Sequence, residues 1–241
     1  MTTQLLFYES AVPVSLQRHR DWCVQGGNYE FAKKINSVPL MAVEIPHAAR
    51  EYTVVFSGGE TVTPLAVLGI NDNVYVTEQG TWKATYIPAF IRRYPFVFSE
   101  NKQLNNFTLC VDESWNGWNQ HGLGEKLFDA KGEQTPYLKN ILKFLQDYQV
   151  EVQRTRAYCE KLKQLGLLDP MQAEFTLPGG QKQSLRGFLT VNRDKLKDLP
   201  AEKLVEAVKT GELEVTYCHL QSINNFKLML EKFAQAHSAN E

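Results

Sequence analysis

The sequence predicts an α+β protein: an antiparallel β-sheet-rich N-terminal part with short helices, then a helical C-terminal part containing one long helix and a β-hairpin. Three observations carry this. Between residues 38 and 111, short β-branched and aromatic runs alternate with Gly, Asn and Pro, the punctuation of strands joined by turns. From Thr135 onward, apolar residues return at alternating steps of three and four over about 30 residues, the period of one helix face. Met171–Leu177 and Ser184–Val191 then flank Pro178-Gly179-Gly180, a hairpin signal between helices. The 241 residues suffice for one large domain or two small ones. The change in character divides them into a sheet-rich part, 1–134, and a helical part, 135–241, as two domains or one continuous one.

Taken in order, Val12–Ser15 is extended and Gln17–Trp22 is a polar piece anchored by Trp22. Gly26-Gly27-Asn28-Tyr29 is a turn, and Phe31–Asn36 a short helical or irregular link. Met41–Ile45 is apolar and partly β-branched, so a strand is expected there, followed by one helical turn opened by Pro46. Tyr52–Phe56 and Pro64–Ile70 are strands. Asn71–Asn73 turns the chain into Val74–Thr77, which predicts a hairpin. Pro88 opens and Pro95 closes a helix of about two turns. Phe96–Ser99 and Phe107–Val111 are strands, followed by a polar, aromatic loop over 112–124 and a turn at Asp129–Gly132. The long helix starts at Thr135-Pro136, an N-cap followed by proline. Its seam is Leu138, Ile141, Leu145, Tyr148, Val152, Thr155, Cys159 and Leu162, and Gly166 ends it. Pro200–Thr210 and about Ser222–Ala236 are helices, and 213–220 is either the start of the latter or a short strand.

Composition excludes several classes. Hydrophobic residues make up 43% and charged residues 22% of the chain, the values of an ordinary globular protein. With 26 basic and 27 acidic side chains the formal net charge is −1, without the cationic excess that nucleic-acid binding needs. No run is long and apolar enough for a membrane span, so no membrane insertion is expected. The N-terminus lacks a basic n-region and an apolar core, so the expected location is cytoplasmic. Cys23, Cys110, Cys159 and Cys218 are scattered, without a C-x-x-C or Cys/His ligand spacing. They are expected as buried free thiols, with no metal and no cofactor.

The stretch Gly80–Phe96 concentrates five aromatics, two prolines and the adjacent Arg92 and Arg93. Consecutive helical residues cannot share a face, so one arginine is expected to look back towards the sheet or a cleft. There it either clamps a carboxylate or seats the short helix through an internal salt bridge. Trp82, Tyr86 and Tyr94 are candidate ligand contacts, with core packing as the plainer alternative. His19, beside Asp21, and His121, in a loop with Asp112 and Glu113, are the candidate proton-transfer groups. The plainer reading is that His19 belongs to a polar turn and that Trp115 and Trp118 pack the His121 loop onto the sheet. Phosphate-binding loops, dinucleotide glycine fingerprints, nucleophile elbows and H-E-x-x-H are all absent, and no catalytic residue is assigned.

The motif Gly80-x-Trp82-x-Ala84-x-Tyr86-Ile87-Pro88-Ala89-x-x-Arg92-Arg93-Tyr94-Pro95-Phe96 resembles the SapC family of bacterial proteins. Pro39-Leu40 with Glu44, Leu127-Phe128-Asp129-x-x-Gly132, Leu185-x-Gly187-Phe188, Gly211-x-Leu213 and His219-Leu220-x-Ser222 support the likeness, which runs from about residue 15 to 230. The family takes its name from bacterial surface layers and has no defined activity. The resemblance implies an accessory role in handling or modifying a peptide or surface product, beside a flavin-dependent halogenase-like or cupin-like enzyme or its substrate. The leading expectation is a non-enzymatic binding protein that engages a peptide or partner protein, with the central motif lining the groove. The alternatives are an enzyme using His19 or His121 with nearby carboxylates, and a surface-layer or secretion component.

Overall fold

The computed structural model describes residues 6–101, 106–176 and 182–238. The elements run β1 (Ala11–Pro13), α1 (Leu16–His19), β2 (Cys23–Val24), β3 (Ser37–Pro39), α2 (Ile45–Ala48), β4 (Thr53–Ser57) and β5 (Pro64–Val67). They continue with α3 (Ala89–Arg92), β6 (Phe96–Asn101), β7 (Asn106–Asp112), β8 (Trp118–Asn119), β9 (Glu125–Lys126) and α4 (Pro136–Gln164). The chain closes with β10 (Leu168–Thr176), β11 (Lys182–Val191), α5 (Arg193–Lys197), α6 (Ala201–Lys209), α7 (Glu212–Ser222) and α8 (Phe226–Ser238). This is the α+β class expected. All strand pairs are antiparallel, in sheets ordered β10-β11-β4-β5-β3, β1-β7-β6 and β8-β2-β9.

The strand β4 is the centre of the larger sheet and is buried on both faces, which is why its sequence is a continuous apolar run without alternation. Val54 and Phe56 join the main core with Tyr158, Cys159 and Leu162 of α4, while Val55 packs with Phe226 and Met229 of α8. Helix α7 is fastened to β4 by its own side chains. His219 Nδ1 lies 2.9 Å from the Val54 carbonyl, and the Val54 N–H donates to Ser222 Oγ at 2.9 Å. This gives His219-Leu220-x-Ser222 a structural meaning. The region 213–220 is thus helical, not a strand.

Helix α4 begins as expected, with the Thr135 hydroxyl accepting the Leu138 N–H at 3.3 Å, and Gly166 follows it at φ +64°. Its seam spans two cores. Leu138 and Leu145 lie over Phe96, Val111 and Leu127, and the C-terminal half reaches the larger sheet. The main core therefore draws residues from both the sheet-rich and the helical stretch.

Two local expectations are corrected. Met41–Ile45 is not a strand: Ala42–Glu44 forms a 3-10 turn leading into α2. The buried Glu44 carboxylate reaches back to the Met41 N–H at 2.8 Å, which closes the chain into a turn. Val74–Thr77 does not return as a strand either. Both edges of β5 are already occupied, by β4 and β3, and Asn73 instead holds the segment through the Ala32 carbonyl and the Tyr75 N–H. One bridge, Val76 to Trp82, remains. The β10–β11 hairpin forms as expected; its tip at Pro178-Gly179-Gly180 lies outside the described residues.

Candidate functional site

Most of the central motif is scaffold. Gly80 sits at φ +77°, where a side chain is strained, and a Cβ there would meet Asn28 Oδ1 at 2.3 Å, so glycine is favoured. Trp82 is buried, and its indole N–H donates to Tyr52 Oη at 2.8 Å; that hydroxyl in turn donates to the Tyr86 carbonyl. Tyr86 is half-buried and donates to Glu44 Oε1 at 2.7 Å. The same oxygen accepts the Ala89 N–H at 2.7 Å. Burial and the neighbouring Glu44 charge both push the Tyr86 phenol above its ordinary value. Tyr94, also half-buried, lies edge-on to Phe7 and Tyr8 and bonds Asp112 Oδ2 at 3.4 Å. These hydrogen bonds and ring contacts hold the motif in place, and Tyr86 also lines a cavity of about 350 Å³ with Glu44, Arg92 and Tyr148.

The two arginines part company. Arg92 is exposed; its Nε donates to the Ile87 carbonyl at 2.9 Å, and its guanidinium covers Tyr86 and Phe144. Arg93 points inward and is only 5% exposed. Its guanidinium carbon lies 4.1 Å from the ring centroid of Phe90, 5.1 Å from that of Tyr148 and 5.8 Å from that of Tyr8. Its Nε has no hydrogen-bond partner, and no ion pair to it exists among the described residues. Ring faces stabilise the cation, but the in-plane N–H donors still need acceptors. Burial drives the Tyr148 phenol up to about 12, with the Arg93 charge opposing and Glu44 adding to the rise.

Arg93 stands in the wall of a cavity of about 270 Å³ between the motif, β6 and the flank of α4. Met41, Phe90, Val97, Phe98 and Val152 supply apolar wall, and Gln149 and Gln153 supply amides one helical turn apart. Pro39, Thr61 and Thr63 are shared with a wider recess of about 660 Å³ that runs over Ser37, Leu65 and Ser57. Ser37 faces Val67 and Pro39 faces Leu65 in the β3–β5 register, so the recess follows one face of the sheet. The two spaces thus meet at shared walls, and Arg93, without an ion-pair partner among the described residues, lines the smaller one. The sequence pointed to Arg93 but not to Tyr148, Val152 or the threonines as cavity residues. Tyr148 and Val152 were visible only as members of the α4 seam.

The expected proton-transfer groups behave otherwise. His19 is fully buried, and its Nε2 meets Glu113 Oε1 at 3.0 Å, so a histidine and a carboxylate do converge. The Ser15 N–H donates to Nδ1 at 3.1 Å, so neither ring nitrogen is left for a substrate proton. Asp112 is engaged by the backbone of Glu9, Ser10 and Ser114 and by the Ser114 hydroxyl. Burial raises its pKa, but these hydrogen bonds outweigh burial and hold it below the usual value. His121 is exposed on the loop, its N–H donating to Asn119. Trp115 and Trp118 pack that loop onto the sheet. Among the described residues no group of three or more His, Cys, Asp or Glu could hold a metal ion.

The SapC family model matches residues 14–229. The chain belongs to the SapC family. No curated protein and no solved structure matches it. For this SapC family member, the conspicuous Arg-Arg pair is thus one surface arginine and one buried in a groove. Among the described residues, no helix is long and apolar enough to cross a membrane.

Proposed function

We propose that this SapC family protein is a non-enzymatic accessory or binding protein that engages a peptide or partner protein in the groove beside the central motif, with Arg93 receiving a carboxylate. The observation that carries the reading is the Arg93 guanidinium: 5% exposed, without a counter-ion among the described residues, its Nε without an acceptor there, and standing in a cavity wall. Burying a lone charge costs several kcal/mol, roughly, unless it is paired, so a site that keeps one empty is suited to an incoming anion. Arginine is the residue best matched to a carboxylate, through two parallel N–H donors. The form of the enzyme alternative that uses His19 loses support because both its ring nitrogens are occupied. In this reading the protein works in the cytoplasm, and a flavin-dependent halogenase-like or cupin-like enzyme, or its substrate, is the first partner to test.

The test is capture from native lysate by wild type, Arg93→Met and Arg92→Ala, each confirmed folded by circular dichroism, with bound proteins read by mass spectrometry. A specific partner retained by wild type and Arg92→Ala but lost by Arg93→Met is expected. Equal retention by all three would remove Arg93 from the binding site.

A further inference from the structure

Resting on that binding reading, we infer that the groove recognises the free C-terminal carboxylate of a peptide whose last side chain is apolar, with the chain entering along the wider recess and ending at Arg93. Three features select this ligand. The first is access. Arg93 is 5% exposed and lines the smaller cavity of about 270 Å³, while the recess of about 660 Å³ shares the walls Pro39, Thr61 and Thr63 with it. Phe90, Tyr148 and Tyr8 stand around the guanidinium. A chain terminus reaches such a group end-on. An internal Asp or Glu must bring backbone on both sides of itself into the narrow space.

The second feature is charge. Among the described lining residues Arg156 and Glu100 carry one charge of each sign, so Arg93 supplies the excess charge there, which one carboxylate neutralises. The third is the wall. Met41, Val97, Phe98 and Val152 offer an apolar surface beside Arg93 for the final side chain, and its burial adds to affinity in proportion to the area covered. Gln149 and Gln153 are four residues apart on α4 and can meet the last peptide bonds. The combined groove has the size range of sites that hold small ligands or short peptide segments, and capture of a terminal carboxylate is a known mode of peptide recognition.

Fluorescence anisotropy with an N-terminally fluoresceinated hexapeptide pool ending in leucine tests this. The pool is used as the free acid, as the C-terminal amide, and as an amide with one internal glutamate. Wild type is expected to bind the acid pool at least about tenfold more tightly than either amide pool, a difference of about 1.4 kcal/mol. Arg93→Met should abolish that preference. Val152→Trp, which narrows the cavity without touching Arg93, should weaken the acid pool in a folded protein. Equal binding of acid and amide pools, with both weakened in Arg93→Met, would overturn terminus recognition and leave the groove-binding reading standing. Equal binding of the internal-glutamate amide and the acid would do the same. No binding of any pool, with octanoate raising the melting temperature of wild type but not of Arg93→Met, would overturn both readings in favour of a small acid. No response to any probe overturns the inference.

Discussion

Acidification should destabilise the protein through one buried ring, that of His219. The Val191 N–H can only donate, and it points at Nε2 at 3.1 Å. Nε2 must therefore be the unprotonated nitrogen, and Nδ1–H donates to the Val54 carbonyl at 2.9 Å. The ring is thus a neutral staple joining α7 to β4 and β11, edge-on to Phe56 at 4.8 Å. A second proton would face an N–H and sit unsolvated, and burial lowers the His219 pKa from 6.5 to about 4, against the partial support of the Val54 carbonyl. The unfolded chain takes up this proton below about pH 6.5 and the folded protein only below about pH 4, so the unfolded state binds more protons in between. Stability should be full above pH 6.5, fall as pH drops towards 4, and level off below. At about 1.36 kcal/mol per pH unit, the loss amounts to roughly 3 kcal/mol. That is a large share of the 5–15 kcal/mol, roughly, of a whole domain. Asp112 acts in a separate window: its folded pKa lies below 3.8, so the stability it adds is present above that value and lost as pH falls further. Urea titrations followed by tryptophan fluorescence at about pH 7.5, 6, 5 and 4, for wild type and His219→Gln, measure the difference. Wild type should lose about 3 kcal/mol more than the variant across this range. Parallel pH curves, or a His219 ring signal in NMR that titrates near its ordinary value, would refute the reasoning.

Three further outcomes are expected. Arg93→Met should leave unfolding free energy unchanged or raise it by up to about 3 kcal/mol, because a buried unpaired cation is replaced by an apolar chain; a loss above about 3 kcal/mol in chemical denaturation would mean that Arg93 is structural. Glu44→Gln should cost about 3 kcal/mol by urea titration, since the buried carboxylate accepts from Met41 N, Ala89 N and the Tyr86 hydroxyl and an amide offers only one oxygen to them. In the native protein, iodoacetamide should spare Cys159, whose thiol burial pushes up to about 12, and modify Cys218 first, the one cysteine of the four that is not buried. In denaturant all four should react, and intact-mass analysis counts the adducts.

By itself, the sequence determined the elements whose causes are local. Helix α4 follows from a cap and a seam, Thr135-Pro136 and the three-four spacing, all within the segment itself. Strands β4, β6 and β7 follow from apolar runs bounded by turns, and helix α6 from the proline that opens it, Pro200. Membership of the SapC family was legible in the central motif. The tertiary structure decided everything that rests on distant partners. The turn at Ala42–Glu44 overrides an apolar, strand-like run because Glu44 finds Tyr86 and Ala89, 42 and 45 residues away. His19 meets Glu113 across 94 residues, and no local spacing could announce that both its nitrogens would be used. Arg92 and Arg93 are alike as letters. One turns to water and the other into a groove because neighbouring positions on a helix diverge by about 100°. Only the packing of α3 against β3 and the flank of α4 determines which side holds the cavity.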